Sequence, residues 1–93
     1  MRGRYIYSTD IELQNGLHCE LKLEVEYIAW DEERPVLIDI TSKRVIDYSF
    51  YILDGLHCED VEQSVADKYI VLYSPLDEIE DVEIEEAIRE KLA

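Results

Sequence analysis

Leu17-His18-Cys19-Glu20-Leu21-Lys22-Leu23-Glu24-Val25-Glu26-Tyr27-Ile28-Ala29-Trp30 decides how this chain folds. Leu17, Cys19, Leu21, Leu23, Val25 and Tyr27 take every second position, and His18, Glu20, Lys22, Glu24 and Glu26 fill the places between. A period of two sends the two sets to opposite sides of a strand, whereas a helix gathers an apolar stripe only at spacings of three and four. The stretch predicts a long β-strand with one dry face and one wet face, the wet face dominated by carboxylates.

Upstream, Tyr5, Tyr7, Thr9, Ile11 and Leu13 alternate in the same way, which predicts a first strand over 4–13. Gln14-Asn15-Gly16 forms the turn, and register decides its type. A two-residue turn on Asn15-Gly16 pairs Leu13 with His18 and puts the two apolar rows on opposite faces. A three-residue loop with Gly16 left-handed pairs Leu13 with Leu17, Ile11 with Cys19 and Tyr7 with Leu23. That register gathers the apolar rows on one face and is the expected one.

Downstream, Asp31-Glu32-Glu33-Arg34-Pro35 reads as a charged loop and Val36, Ile38 and Ile40 as a third strand. Ser42-Lys43-Arg44 reads as a polar connection, and Ile46, Tyr48, Phe50 and Ile52 as a fourth strand closed by Asp54-Gly55. After Cys58 the period changes. Val61, Val65, Ala66 and Tyr69 predict a short helix over 60–70 with Glu59 and Asp60 at its start, although residues 69–73 also suit a strand. Ser74-Pro75-Leu76-Asp77 carries the marks of a helix start, and Ile84, Ala87, Ile88 and Leu92 form a buried stripe. Ile79 and Val82 fall off that stripe, which predicts a break near Asp81.

The expected fold is α+β, one domain over 1–93. A four-stranded, mainly antiparallel sheet has a C-terminal acidic helix and a shorter preceding helix packed on one face. The expected core is Leu17, Cys19, Leu21, Leu23, Val25, Tyr27, Ile38, Ile40, Phe50, Ile52, Ile84, Ile88 and Leu92.

The charge balance narrows the function. The 93 residues include 23 acids and 9 bases, a net charge of −14. Such an excess repels phosphate backbones and anionic membranes and favours a partner protein with a basic surface, so neither direct nucleic-acid binding nor a membrane partner is expected. No apolar run approaches the roughly 20 residues that span a bilayer. Two cysteines without an export signal read as reduced thiols, and the expected location is the cytoplasm.

Asn15-Gly16-Leu17-His18-Cys19-Glu20 recurs as Asp54-Gly55-Leu56-His57-Cys58-Glu59. His18, Cys19, His57 and Cys58 are all capable zinc ligands. Adjacent residues of a strand point to opposite faces, however, so His18 and Cys19 do not reach one ion together. The competing reading makes both copies hairpin exits with leucine and cysteine inward and histidine at the surface, and no cofactor is expected. Neighbouring acids would raise the thiol pKa values, against nucleophilic use. There is no phosphate-binding glycine loop, nucleophile elbow or zinc-protease motif, so a non-enzymatic role is expected.

Residues 74–93 carry eight acids and two bases. Glu78, Asp81 and Glu85 on the last helix, with Glu20, Glu24 and Glu26 on the wet face of the central strand, form the candidate partner-binding set. Carboxylates three or four apart on a helix or on alternate strand residues stand about 5–7 Å apart, and rows of charge at such intervals are expected to substitute for a nucleic-acid backbone in a basic cleft. A plain solvated surface is the competing reading, and self-association through a sheet edge or through the seven tyrosines is a further one.

In Leu23-Glu24-Val25-Glu26-Tyr27, the Pro35-bounded return strand to Ile40, Asp54-Gly55 and Ile84-Glu85-Glu86-Ala87-Ile88, the chain resembles small acidic accessory proteins encoded by phages and prophages. The resemblance implies a phage accessory protein acting in the host cytoplasm. Some such small acidic proteins disarm host defences, CRISPR machinery included, so the resemblance makes interference with a host defence complex an expectation beside the nucleic-acid mimicry read from the acids. It transfers no site residues.

Overall fold

The computed structural model describes residues 1–30, 32 and 34–92. The charged loop expected at 31–35 therefore lies partly outside the described residues, at Asp31 and Glu33. The chain forms β1 (Arg2–Gln14), β2 (Leu17–Trp30), β3 (Leu37–Asp54), β4 (His57–Asp60) and α1 (Gln63–Tyr73). A 3-10 turn at Pro75–Glu78 and a final helix α2 (Asp81–Leu92) complete it. The strands lie in the order β1-β2-β3-β4 and every neighbouring pair is antiparallel. This is the expected α+β arrangement, although the two helices are nearly equal in length, 11 and 12 residues.

β2 is the spine. Its odd positions from Leu17 to Ala29 are all buried and its even positions are not, as the alternation requires. Ala66 of α1, Ile79 after the 3-10 turn and Ile84 and Ile88 of α2 close over that row with Phe50 and Ile38 of β3. Both helices thus cover one face of the sheet and leave the other open. Ile40 and Leu92 pack at the margin of this core. Ile52, expected inside, is 41% exposed. Truncating a fully buried side chain such as Leu23 or Ile84 to alanine costs about 2–5 kcal/mol.

The first hairpin has the expected pairs Ile11–Cys19 and Tyr7–Leu23 but reaches them differently. Asn15 and Gly16 both have positive φ, 44° and 80°, and Gln14 pairs with Leu17. This is the two-residue Asn-Gly turn whose twist matches that of the strands. The register is then corrected by a bulge between Glu12 and Gln14, which leaves Leu13 as the extra residue. Burial of both apolar rows fixes the register, and the bulge reconciles it with the turn.

The expected third and fourth strands are one strand. β3 runs unbroken for 18 residues through Ser42, Lys43 and Arg44, because β2 continues beside it from Leu37 to Ile52. Two register shifts, at Thr41 and Ile46, keep Ile38, Ile40, Val45, Tyr48 and Phe50 on the covered side. The fourth strand is the short His57–Asp60, a region expected to lead into the helix. Residues 69–73 are helical. Ser74 is not a helix cap by its side chain: it ends α1 in a left-handed conformation (φ 44°), and its Oγ donates to the Val71 carbonyl at 3.2 Å. The break expected near Asp81 occurs at Ile79 and Glu80.

The result is a plank with Cα extents of 47 × 25 × 16 Å. Its radius of gyration is 15.5 Å, against roughly 12–13 Å for a compact domain of this length.

Candidate interaction surfaces

The open face carries the even-numbered side chains of β1 and β2 and their partners on β3. One end is mixed in charge. Arg4 Nε lies 3.7 Å from Glu26, and Arg44 reaches Glu24 at 3.2 Å. The other end is acidic. Asp10 pairs across the ladder with Glu20, and Glu12 with His18. Between them Ser8, Asp10, Glu20, Lys22, Asp47 and Ser49 line a shallow hollow on the open face.

At the acidic end three strands contribute to one polar network. His18 Nδ1 sits 3.0 Å from Asp10 and its Nε2 3.5 Å from Glu12. The imidazole stacks on the Tyr51 ring at a centroid distance of 4.9 Å, and the Tyr51 hydroxyl donates to the second Asp10 oxygen. That hydrogen bond, burial and the surrounding negative charge push the Tyr51 phenol up to about 12. Beneath the network, burial first and then Asp10 and Glu20 push the Cys19 thiol up to about 11, which removes it as a nucleophile at neutral pH.

The duplicated segment explains why its four zinc-capable residues do not meet. In the first copy Asn15 and Gly16 are the turn and Leu17 opens the strand. In the second, Gly55 (φ 60°) and Leu56 are the turn and Asp54 pairs with His57. Gly55 takes the first central position, the pattern of a type II′ turn. A shift of one residue reverses every side chain. Cys19 is therefore buried under the helices, whereas Cys58 is exposed on the open face beside Tyr51. Leu56, expected inward, is fully exposed at the hairpin tip. His18 and Cys19 lie on opposite faces, and among the described residues no group of three His, Cys, Asp or Glu side chains is arranged to hold a metal ion.

The helical side is the second acidic surface. Asp81 binds Lys43 Nζ at 2.6 Å. The two bases of α2 are turned to the sheet: Arg89 donates to the Val36 carbonyl at 2.8 Å, and Lys91 lies 5.4 Å from the centre of the Tyr5 ring. That leaves Asp77, Glu78, Glu80, Glu83, Glu85, Glu86 and Glu90 without an ion-pair partner among the described residues. On α1, Tyr48 (2.5 Å) and Gln63 (2.7 Å) donate to Asp67 and hold its carboxyl below the usual carboxylate range.

The six candidate partner-binding residues thus fall into two groups. Glu20, Glu24 and Glu26 stand on the open face, where two of them are paired with arginines. Glu78, Asp81 and Glu85 stand on the helical side, across the sheet from the first three. One contiguous face holding all six does not exist. The Asp10–His18–Tyr51 network was not visible in the sequence, because Tyr51 reaches it only through the β2–β3 register. No protein-family model, no curated protein and no solved structure matches this chain.

Proposed function

We propose that this is a non-enzymatic interaction protein whose helical side engages a basic, nucleic-acid-binding surface of a partner protein. The observation that carries the reading is that seven of the eight carboxylates from Asp77 to Glu90 have no ion-pair partner among the described residues, on a segment whose own bases face the sheet. Unpaired charge keeps its full attraction for an incoming cation, whereas Glu24 and Glu26 are already partly neutralised by Arg44 and Arg4. The resemblance to phage accessory proteins makes a host defence complex the natural target class.

Capture on the immobilised protein tests it. Host lysate passed over the column at about 50 mM salt should yield a partner that elutes near 500 mM, because contacts of this kind are screened over a few ångströms at high salt. Duplex DNA should displace the same partner. Substituting Glu78→Lys, Glu85→Lys and Glu86→Lys together should abolish capture, while Glu20→Lys, Glu24→Lys and Glu26→Lys should leave it intact. Capture that survives high salt, ignores DNA or does not distinguish the two triple variants refutes the proposal.

A further inference from the structure

From the free edge of β1 we infer a second binding surface, for which the occupant is another copy of this chain. β1 is the outer strand of the sheet, and its pairing with β2 is unbroken from Arg2 to Glu12. A long, regular edge of this kind offers a row of unpaired backbone donors and acceptors to any strand that can match it. The other edge is different. β4 covers only residues 51–54 of β3, and the remaining edge is interrupted by bulges at Thr41 and Ile46. Self-pairing there would also centre on Lys43 and bring like charges together.

The sequence of β1 is self-complementary in charge. Two copies set antiparallel about a two-fold axis at Tyr7 place Arg2 opposite Glu12 of the partner subunit and Arg4 opposite Asp10 of the partner subunit. Symmetry repeats both pairs, giving four cross-strand pairs of opposite charge on the open face. Shifting the register by two residues in either direction keeps only half of them. The edge is locally neutral, with Arg2 and Arg4 against Asp10 and Glu12, in a chain of net charge −14.

Within one chain these groups are only partly matched: Arg4 lies 3.7 Å from Glu26, Glu12 lies 3.5 Å from His18, and Asp10 meets His18 and Tyr51. Arg2 lies opposite Ile28, and Asp10 lies opposite Glu20, an acid facing an acid. The partner subunit's Arg4 would relieve that repulsion. On the covered face Tyr7 meets its own copy and Tyr5 meets Thr9 of the partner subunit. Eleven facing positions give about ten backbone hydrogen bonds, as many as an ordinary stable interface. The helices leave room. α2 touches both β1 and β3 and so lies over β2, and the two β2 strands would stand about 14 Å apart, more than the roughly 10–12 Å width of a helix. The product is a continuous eight-stranded sheet with four helices on one face.

Sedimentation of the whole chain should give twice the 11.0 kDa monomer mass at micromolar concentration. A variant with Arg2→Glu and Arg4→Glu should be monomeric, and so should one with Asp10→Arg and Glu12→Arg, with far-UV circular dichroism confirming that each is folded. An equimolar mixture of the two should dimerise again, because every facing pair is then of opposite sign. If the basic variant does not fold, a second measurement stands by itself. Tyr7→Cys in a Cys58→Ser background should form a disulfide-linked dimer on mild oxidation, and Ile11→Cys should not, since two copies of residue 11 lie about 27 Å apart along the strands. A monomer at about 100 μM, a dimer indifferent to the charge reversals, or a linkage at residue 11 rather than 7 would overturn the inference.

Discussion

The hydroxyl of Tyr51 ties its own protonation to the fold. Its hydrogen bond to Asp10 exists only while the phenol keeps its proton, and the phenol is pushed from 10.0 up to about 12. A raised folded-state pKa means the contribution is complete below about 10 and is lost as the pH climbs through about 12. The urea midpoint of the native protein should therefore fall between these values more steeply than that of Tyr51→Phe, and the late phase of the tyrosinate absorbance titration should be smaller in the variant. Identical pH profiles for the two proteins would mean that the network contributes nothing. The two hairpin glycines make a sharper comparison. Both have positive φ, so alanine at either is strained by about 1–2 kcal/mol. At Gly55 nothing else lies within reach of an added methyl, but at Gly16 that methyl would collide with the Leu53 carbonyl oxygen. Gly16→Ala should lower the denaturation midpoint clearly more than Gly55→Ala, and equal losses would show that backbone conformation alone sets the cost.

At the level of elements, the left-handed end of α1 is improvable. Ser74 holds φ 44° where glycine is the usual occupant, and the side-chain hydrogen bond at stake among the described residues is the exposed one to the Val71 carbonyl. Ser74→Gly should stabilise the protein by about 0.5–1 kcal/mol in chemical denaturation, and a loss would assign more to that hydroxyl than its exposure suggests. The elements themselves were legible to different degrees. β2 was plain because its alternation reports burial on one face, and α2 because its apolar stripe has the helical spacing. β3 reads in the sequence as two strands. Ser42, Lys43 and Arg44 look like a loop, yet a polar triplet needs no turn when the partner strand continues beside it and two bulges absorb the change of phase. The two hairpins turn at different places in the repeat, at Asn15-Gly16 in the first copy and one position later, at Gly55-Leu56, in the second, and Asn-Gly and Asp-Gly do not announce that difference because both suit the same turn.

For the whole molecule, the acidic excess was plain from composition, but its division was not. Residues 20, 24 and 26 and residues 78, 81 and 85 are separated by the sheet itself, and only the packing of both helices on the odd face of β2 puts them there. The arginine partners of Glu24 and Glu26 likewise depend on register rather than on order along the chain. This distribution leaves repulsion on both sides of a plank only 16 Å thick. At an ionic strength of 0.01 M the screening length is about 30 Å, so charges on the two faces act on one another through most of the structure; at 0.15 M it is about 8 Å and they do not. Unfolding spreads the same charges apart, so the folded state gains from screening. The thermal midpoint should rise by several degrees between 0.01 and 0.15 M sodium chloride and then level off, since about 1 kcal/mol moves the midpoint of a domain this size by about 4–8 °C. Levelling off is the distinguishing mark: salting-out of apolar surface would keep raising the midpoint at molar salt, while screening is nearly complete by then. A midpoint that falls over the first interval would mean that pairs such as Lys43–Asp81 and Arg44–Glu24 outweigh the repulsion, and that the acids of the helical side are less exposed to one another than their lack of cationic partners implies.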